Sequence, residues 1–260
     1  MKIIILTSST TGVAAHHLPY LLEHQEIDVA MVVVSKGILQ KKQSFFKNKL
    51  KKIFKIGILG SMNGLRMRKW YSSNTQKYHK IIPLDVFCKA KNIPFFEVDV
   101  TNSEQTMQLF RNSGADLGIS LGNGFISKRV FSIPRFGMIN IHHEILPDYQ
   151  NAQSVIWQIY NRSKNSGFTI HQIDSKIDTG AIIYQEKVPI IFKSSLKDTV
   201  TNTLCEIENK SALGLLKVLK NFDYYFNNKT PQGAGNHYTT PSIRQYFVIY
   251  KNYLQLKKSE

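Results

Sequence analysis

Residues 1–7 read MKIIILT, and residues 28–34 read DVAMVVV. A stretch with helical spacing of apolar residues, from Gly12 to His24, lies between these two apolar runs. Short, nearly continuous apolar runs are typical of strands that helices cover on both faces. Strand and helix patterns continue to alternate, with further strands predicted at 94–98, 115–121, 137–142, 168–173 and 181–188. The sequence therefore predicts an α/β fold, a mostly parallel sheet with helices on both faces.

A basic segment at 36–75 interrupts this alternation. No acidic residue occurs from Val29 to Leu84, and this stretch holds 13 of the Lys and Arg residues in a chain of net charge +16. The charge is thus concentrated in one segment, which does not favour nucleic-acid binding by the whole chain. Within 41–55, an apolar helical face is predicted from Phe46, Leu50, Ile53 and Phe54. Three readings fit: a peripheral membrane contact, a basic rim that attracts a phosphorylated substrate, and a helix docked on the domain.

The spacing of apolar residues changes again after the predicted sheet. A long helix is predicted over 193–225, and a β-hairpin appendage over 226–260, where Tyr246–Tyr250 are β-prone. The expected division is a catalytic domain at 1–192 that contains the basic insertion, then the helix, then the tail.

Cysteine usage and hydropathy predict the compartment. Cys88 and Cys205 lie in apolar patterns without the spacing of metal ligands, so a Cys-based zinc site is not expected. The opening apolar run is too short for a secretory signal, and no run reaches the roughly 18 apolar residues that a membrane span needs. We expect a cytoplasmic protein.

Polar side chains cluster where two predicted strands end. Asn140 and His142, two residues apart on a strand, point to the same face near the carboxyl edge, where open parallel sheets bind ligands. The loop before Gly180 can bring Asp178 back toward them. A neutral His accepts a proton from an amine, an Asn amide donates to an oxyanion, and an Asp orients the His. The trio fits direct acyl transfer, although Asn-x-His and Asp-Thr-Gly also occur as ordinary strand ends and turns.

The residues around this trio follow an ordered pattern. Its matched positions are Asn140, His142, Leu146, Pro147, Trp157, Thr169, His171, Asp174, Asp178, Thr179, Gly180, Ile183 and Gln185. In this order the stretch resembles the folate-dependent formyltransferases, a family that includes methionyl-tRNA, glycinamide ribonucleotide and sugar N-formyltransferases. The resemblance implies a Rossmann-like domain, with Asn140, His142 and Asp178 as catalytic residues.

The resemblance also implies a cosubstrate. The donor would be N10-formyltetrahydrofolate, with no metal in the reaction. Its pterin would lie against two loops, Leu121-Gly122-Asn123-Gly124-Phe125-Ile126 and the segment that begins with Ile173 and Asp174. His171, at a strand end, is expected to shape the second loop rather than to react.

The acceptor is predicted from the tail and from departures. Relatives often carry Ser where this chain has Glu144, and Arg-Gly where it has Gln150 and Asn151; these positions would line the substrate side. The segment Gly235–Pro241 resembles the tail of sugar N-formyltransferases, which implies a homodimer and a dTDP- or GDP-linked 4-amino-4,6-dideoxyhexose for surface polysaccharide (O-antigen) synthesis. The alternatives are a methionyl-tRNA-type enzyme, a formyltetrahydrofolate hydrolase and a non-catalytic binding protein.

Overall fold

A seven-stranded sheet forms the centre of the computed structural model, which describes residues 1–37, 42–151 and 153–259. The strand order is β3-β2-β1-β4-β5-β6-β7. Pairing is parallel from β3 through β5 and antiparallel for the last two strands. The strands are β1 Lys2–Thr7, β2 Asp28–Ser35, β3 Phe95–Val98, β4 Leu117–Leu121, β5 Met138–His142, β6 Asn165–Gln172 and β7 Ile182–Pro189.

Helices cover both faces of this sheet. Ile3 and Ile5 of β1 belong to one buried cluster and Ile4 and Leu6 to the other, because side chains alternate along a strand. The α/β, mostly parallel prediction is confirmed. The helices are α1 Val13–Leu22, α2 Lys42–Arg68, α3 Ser73–His79, α4 Leu84–Ala90, α5 Glu104–Ser113, α6 Lys128–Phe131, α7 Ile156–Tyr160, α8 Leu196–Lys220, α9 Phe222–Asn227 and α10 Ile243–Lys258.

From residue 42 onward the basic insertion is largely helical. Gly57, at φ 77°, breaks α2 into two segments, and a 3-10 turn at Lys69–Tyr71 leads into α3. The second segment is docked, since Met67 and Trp70 are buried in the main core. The predicted face of Phe46, Leu50 and Ile53 lies outside the described side chains. Within the described residues, no helix combines the length and apolar character that crossing a membrane requires.

The tail differs from the predicted hairpin. Residues Ile243–Lys258 form α10, so the β-prone stretch Tyr246–Tyr250 is helical. A capping box begins the helix: Ser242 accepts from the backbone of Gln245, whose side chain accepts from the backbone of Ser242. Ile249 and Tyr253, four residues apart, are fully buried on one face of α10. Burial of this face overrides the local β propensity.

Candidate active site

A cleft of about 520 Å³ opens at the carboxyl ends of β4 and β5. Asn140, His142 and Asp178 all line it, as predicted. Its other walls come from α1, α2, α8 and the loops after β4, β5 and β6. The site therefore lies where open parallel sheets bind their ligands.

The side chain of His171 holds the amide of Asn140. The two residues are directly opposite in the antiparallel β5–β6 pair. Nδ1 of His171 donates to the carbonyl oxygen of Gln172 at 2.8 Å, so Nε2 of the neutral ring accepts from Nδ2 of Asn140 at 3.2 Å. Burial lowers the pKa of His171, against the opposing effect of Asp178, and favours this neutral form. His171 thus orients the amide of Asn140, a role that is separate from the loop-shaping role predicted for it.

A backbone carbonyl fixes the tautomer of His142. Nε2 of His142 lies 3.0 Å from the carbonyl oxygen of Tyr149, which can only accept, so Nε2 carries the proton. The unprotonated Nδ1 then faces Asp178, whose carboxylate lies 3.8 Å away. His142 is therefore arranged to accept a proton at Nδ1, beside a negative charge that stabilises the resulting imidazolium.

Backbone geometry brings Asp178 into the cleft. The residue adopts φ 56°, and a side chain at Gly180 would overlap the carbonyl oxygen of Gln172. The carboxylate accepts from the backbone N–H of Asn151 at 3.1 Å and also lies 3.8 Å from Nε2 of His171. Asp178 thus reaches both histidines from a conformation that the glycine at 180 makes possible.

The loop that carries Asp178 is stabilised from inside. Asp174 accepts from the hydroxyl of Thr179 at 2.8 Å and from the backbone N–H of Lys176 at 3.0 Å. With Asp174 turned inward, Ile177 is left 54% exposed beside the cleft. Ile173 and Asp174, both predicted to contact the cosubstrate, line the cleft. The carboxylate of Asp174 accepts hydrogen bonds from within its own loop.

The loop after β4 fits a flat heteroaromatic ring. Gly122 adopts φ 76° and has open space where a side chain would be, and Phe125 is 43% exposed. Nδ2 of Asn123 donates to the carbonyl oxygen of Leu6, whereas its buried Oδ1 has no hydrogen-bond partner in the described part of the chain. Residues 122–126 line the cleft, and Leu121 is buried at the end of β4 just before them. Apolar walls, open backbone and an unpaired acceptor suit the pterin that the resemblance implies.

The predicted substrate-side residues have different positions. Glu144 lines the cleft but is 1% exposed and accepts from Nε2 of Gln158; burial raises its pKa well above the ordinary range. Asn151 lines the cleft and donates its backbone N–H to Asp178. Gln150 is buried behind the loop, where its Nε2 donates to the carbonyl oxygen of Asp178 at 3.3 Å. Gln150 therefore supports the loop instead of facing the cleft.

Sequence reasoning missed one group of cleft residues. Arg68 and Tyr71 reach the cleft from the end of the basic insertion. The hydroxyl of Tyr71 donates to the carbonyl oxygen of Ser154 at 3.0 Å. An anion-attracting rim was one of the three readings of the basic segment, but the kink at Gly57, which sets where α2 ends, has no clear signal in the sequence.

The tail packs against a loop that supports the site. The backbone N–H of Gln150 donates to the carbonyl oxygen of Asn236, and the N–H of Tyr238 donates to the carbonyl oxygen of Gln150. Nε1 of Trp157 donates to the carbonyl oxygen of Thr239, and the rings of Tyr149 and Tyr238 stack with centroids 5.5 Å apart. The extended segment before α10 thus braces the loop whose Asn151 contacts Asp178.

Sequence comparisons give limited overlap with curated relatives. The chain is 32% identical over 114 residues to the methionyl-tRNA formyltransferase of Bacteroides thetaiotaomicron, a match covering 43% of this chain and 35% of the relative. It is 33% identical over 103 residues to the GDP-perosamine N-formyltransferase of Brucella melitensis, covering 39% of each chain. The chain therefore matches little more than a third of the length of these relatives.

Solved structures and a family model extend over more of the chain. A glycinamide ribonucleotide transformylase from Symbiobacterium toebii, 14% identical, aligns with a TM-score of 0.56 over 90% of this chain and 92% of its own. A 4-N formyltransferase from Francisella tularensis, 18% identical, aligns with a TM-score of 0.55 over 98% and 87%. These two structures share the fold. The family model described as formyl transferase matches residues 1–216, and the protein belongs to this family.

Proposed function

We propose that the protein transfers a formyl group from N10-formyltetrahydrofolate to the amino group of a nucleotide-linked amino sugar. The observation that carries the proposal is the convergence of Asn140, His142 and Asp178 on one cleft at the carboxyl edge of the sheet. The proposal assigns catalysis to residues 1–192, with the tail bracing the site. Bound N10-formyltetrahydrofolate would supply an electrophilic formyl carbon against residues 122–126 and Ile177.

Each of the three side chains has a distinct task. Nδ1 of His142 takes the proton from the attacking amine, and the carboxylate of Asp178 stabilises the imidazolium. As the bond between the formyl carbon and N10 breaks, the imidazolium gives this proton to N10, so that tetrahydrofolate leaves as a neutral amine. An amide carries two N–H groups, so the one bound to His171 leaves the second N–H of Asn140 to donate to an oxyanion. Direct transfer needs no covalent intermediate on the protein, consistent with the absence of a Ser or Cys from these three residues.

The choice of an amino sugar rests on two observations. The Brucella relative acts on GDP-perosamine by its name, and its identity to this chain is 33%. In this protein Arg68, carried by the basic insertion, lines the cleft, where its guanidinium would pair with a diphosphate. A dTDP- or GDP-linked 4-amino-4,6-dideoxyhexose supplies both the amine and the diphosphate. We also propose that the protein is a cytoplasmic homodimer that acts in surface-polysaccharide (O-antigen) biosynthesis.

A direct assay tests the acceptor. The protein is incubated with N10-formyltetrahydrofolate and a panel of dTDP- and GDP-linked amino sugars, and the products are analysed by mass spectrometry. The proposal expects replacement of one amine hydrogen by a formyl group on at least one sugar. Formylation of none of them overturns the sugar assignment, and release of formate at the same rate without acceptor indicates a hydrolase.

The second candidate is a methionyl-tRNA-type formyltransferase. It is favoured by the 32% identity to the Bacteroides enzyme and by the basic insertion. This candidate predicts formylation of charged tRNA, with an affinity that falls steeply as salt rises, since phosphate contacts release counterions. Formylation of a nucleotide sugar with no activity on charged tRNA excludes it.

A further inference from the structure

Three side chains with metal-binding donor atoms meet beside the cleft, apart from the three proposed catalytic residues. His79 ends α3, and Cys205 and Glu208 lie about one turn apart on α8. One ligand atom from each, a ring nitrogen, a sulfur and a carboxylate oxygen, lies within 4.8 Å of the other two. Residues three apart on a helix share a face, so α8 presents its two donors together toward α3.

The cluster is buried. The side chains of His79 and Glu208 are 6% and 8% exposed, and Cys205 is fully buried. Nε2 of His79 lies 2.8 Å from the carboxylate of Glu208. Burial raises the pKa of Glu208, and burial together with Glu208 raises the pKa of Cys205 to about 12. Both groups thus disfavour their charged forms, unless a cation compensates for the loss of hydration.

A fourth polar residue borders the cluster. The ring of His16, on α1, stacks on the ring of His79 with centroids 3.9 Å apart. His16 is buried, with a relative exposure of 8%, and its Nε2 has no hydrogen-bond partner in the described ranges of the chain. A buried nitrogen without a partner beside a histidine, thiol and carboxylate points to a ligand, because buried polar groups ordinarily find partners.

Two openings give access to the cluster. Glu208 lines the large cleft, whereas His79 and His16 line a second cleft of about 440 Å³. An ion can therefore enter from solvent, and a water molecule can occupy a fourth coordination position. A mixed nitrogen, sulfur and oxygen donor set of this kind suits zinc in tetrahedral geometry.

We infer that His79, Cys205 and Glu208 form a zinc-binding site that joins α3 to α8. Binding moves the three donor atoms slightly inward and replaces the contact between His79 and Glu208 with two bonds to the ion. Cys205 releases its proton to solvent and binds as thiolate, and His79 binds as neutral imidazole through Nε2. One thiolate and one carboxylate then balance the two positive charges of the ion.

The expectation that Cys205 has no metal role came from sequence spacing. Zinc sites are recognised in sequences by closely spaced pairs of ligands. Here His79 and the two α8 ligands are brought together only by the packing of α3 against α8, which has no local signature. The inference is independent of the proposed formyl transfer, because the cluster excludes all three proposed catalytic residues.

Cobalt provides the test, since Co²⁺ bound by a thiolate shows a sulfur-to-metal charge-transfer absorption in the near ultraviolet. The metal-free full chain is titrated with Co²⁺ and then with competing Zn²⁺. We expect one Co²⁺ per chain with this absorption, displaced by Zn²⁺. The absorption persists in Cys88→Ser, the matched control at the other buried free cysteine, and disappears in Cys205→Ser.

Two further variants keep the inference testable if Cys205→Ser does not fold. His79→Gln and Glu208→Gln, checked for folding by circular dichroism, are expected to weaken Co²⁺ binding at least tenfold while retaining the thiolate. No charge-transfer absorption in the wild type overturns the inference. Its persistence in Cys205→Ser, or unchanged affinity in both glutamine variants, also overturns it and indicates binding elsewhere.

Discussion

The amide of Asn140 is held in one orientation by a histidine that is neutral and buried. Nε2 of His171 accepts from this amide because Nδ1 is committed to the carbonyl oxygen of Gln172. The proposed oxyanion donor is thus positioned by a side chain that does not itself react. Without this partner, nothing in the pair would select the orientation that points the amide nitrogen, and not its oxygen, at an oxyanion.

Replacing His171 tests this positioning. We expect His171→Leu to lower kcat about 10²-fold, the lower end of the range for loss of an oxyanion donor, because the amide loses its partner. His171→Gln supplies an acceptor oxygen and is expected to restore part of the loss. Steady-state kinetics with N10-formyltetrahydrofolate and a formylated acceptor give kcat and KM separately. Equal activity of the two variants would contradict a positioning role and indicate loss of packing alone.

Removal of the proposed base, His142, tests the proton transfer. His142→Ala is expected to lower kcat by about 10²- to 10⁴-fold, since proton transfer from the amine loses its acceptor. The thermal unfolding midpoint is measured to show that the fold persists. His237→Ala, at an exposed histidine of the tail, serves as the control and should retain wild-type kcat. Full activity of His142→Ala would rule out the mechanism.

The site was only partly readable from sequence. The positions of Asn140 and His142 at a strand end, and of Asp178 in the loop before Gly180, predicted that the three meet, and they line one cleft. The orienting contact of His171 depends on the register of the antiparallel β5–β6 pair, which no local pattern sets. The prediction that Gln150 faces the substrate was wrong because the tail covers it, a contact between segments far apart in the chain.

At the scale of elements, the segment before α10 is extended and tightly seated. A side chain at Gly235 would overlap the carbonyl oxygen of Pro147 and crowd the amide of Gln150, whereas Gly233 has open space around it. The close approach explains why a glycine is needed at 235, since no positive φ is involved. Gly233 is therefore a matched control for a substitution at Gly235, two residues away.

This pair gives the third prediction. Gly235→Ala is expected to displace the tail from the loop and to lower the free energy of unfolding by about 1–3 kcal/mol. It is also expected to reduce kcat, because the displaced loop no longer holds the carboxylate of Asp178 in place. Gly233→Ala should change neither quantity appreciably. Urea unfolding and steady-state kinetics on both variants provide the measurement. A Gly235→Ala protein with wild-type kcat would show that tail contacts do not reach the site.

The elements themselves were predicted unevenly. Apolar runs identified the strands, because a sheet covered on both faces needs such runs. The hairpin predicted at 226–260 was wrong. It was expected because Tyr246–Tyr250 combine aromatic and β-branched residues, which locally favour strands. The stretch is helical because Ile249 and Tyr253 are buried on one helical face. The surface against which they pack cannot be recognised from the local sequence.

At the scale of the whole molecule, buried histidines tie stability to pH. Burial lowers the pKa of His143 to about 3 and that of His16 to about 4, with further lowering by neighbouring histidines. The unfolded chain binds protons at these groups near pH 6.5, and the folded chain does not. Stability from these groups is therefore lost as pH falls below about 6.5. Burial raises the pKa values of Glu144 and Glu208, so the unfolded chain releases these protons at a lower pH than the folded chain does. Stability from these two groups is therefore lost as pH rises.

Substituting one histidine isolates its share, as the fourth prediction. The unfolding free energy of His143→Asn is expected to depend less on pH than that of the wild type, by up to about 1.4 kcal/mol per pH unit below pH 6.5. The difference between the two proteins thus narrows from pH 7.5 to pH 5. Urea unfolding across this range measures it, with His237→Asn as the exposed control. A constant difference would contradict burial of a neutral His143.

The bracing of Asp178 by the tail has a consequence for synthesis. A nascent chain that has emerged through β7 already contains every strand of the sheet and all three proposed catalytic residues. Gln150 and Tyr149 still lack their partners at that stage, because Asn236 and Tyr238 have not left the ribosome. The order of translation thus completes the bracing of the loop that contacts Asp178 only after residues 236–238 have been made.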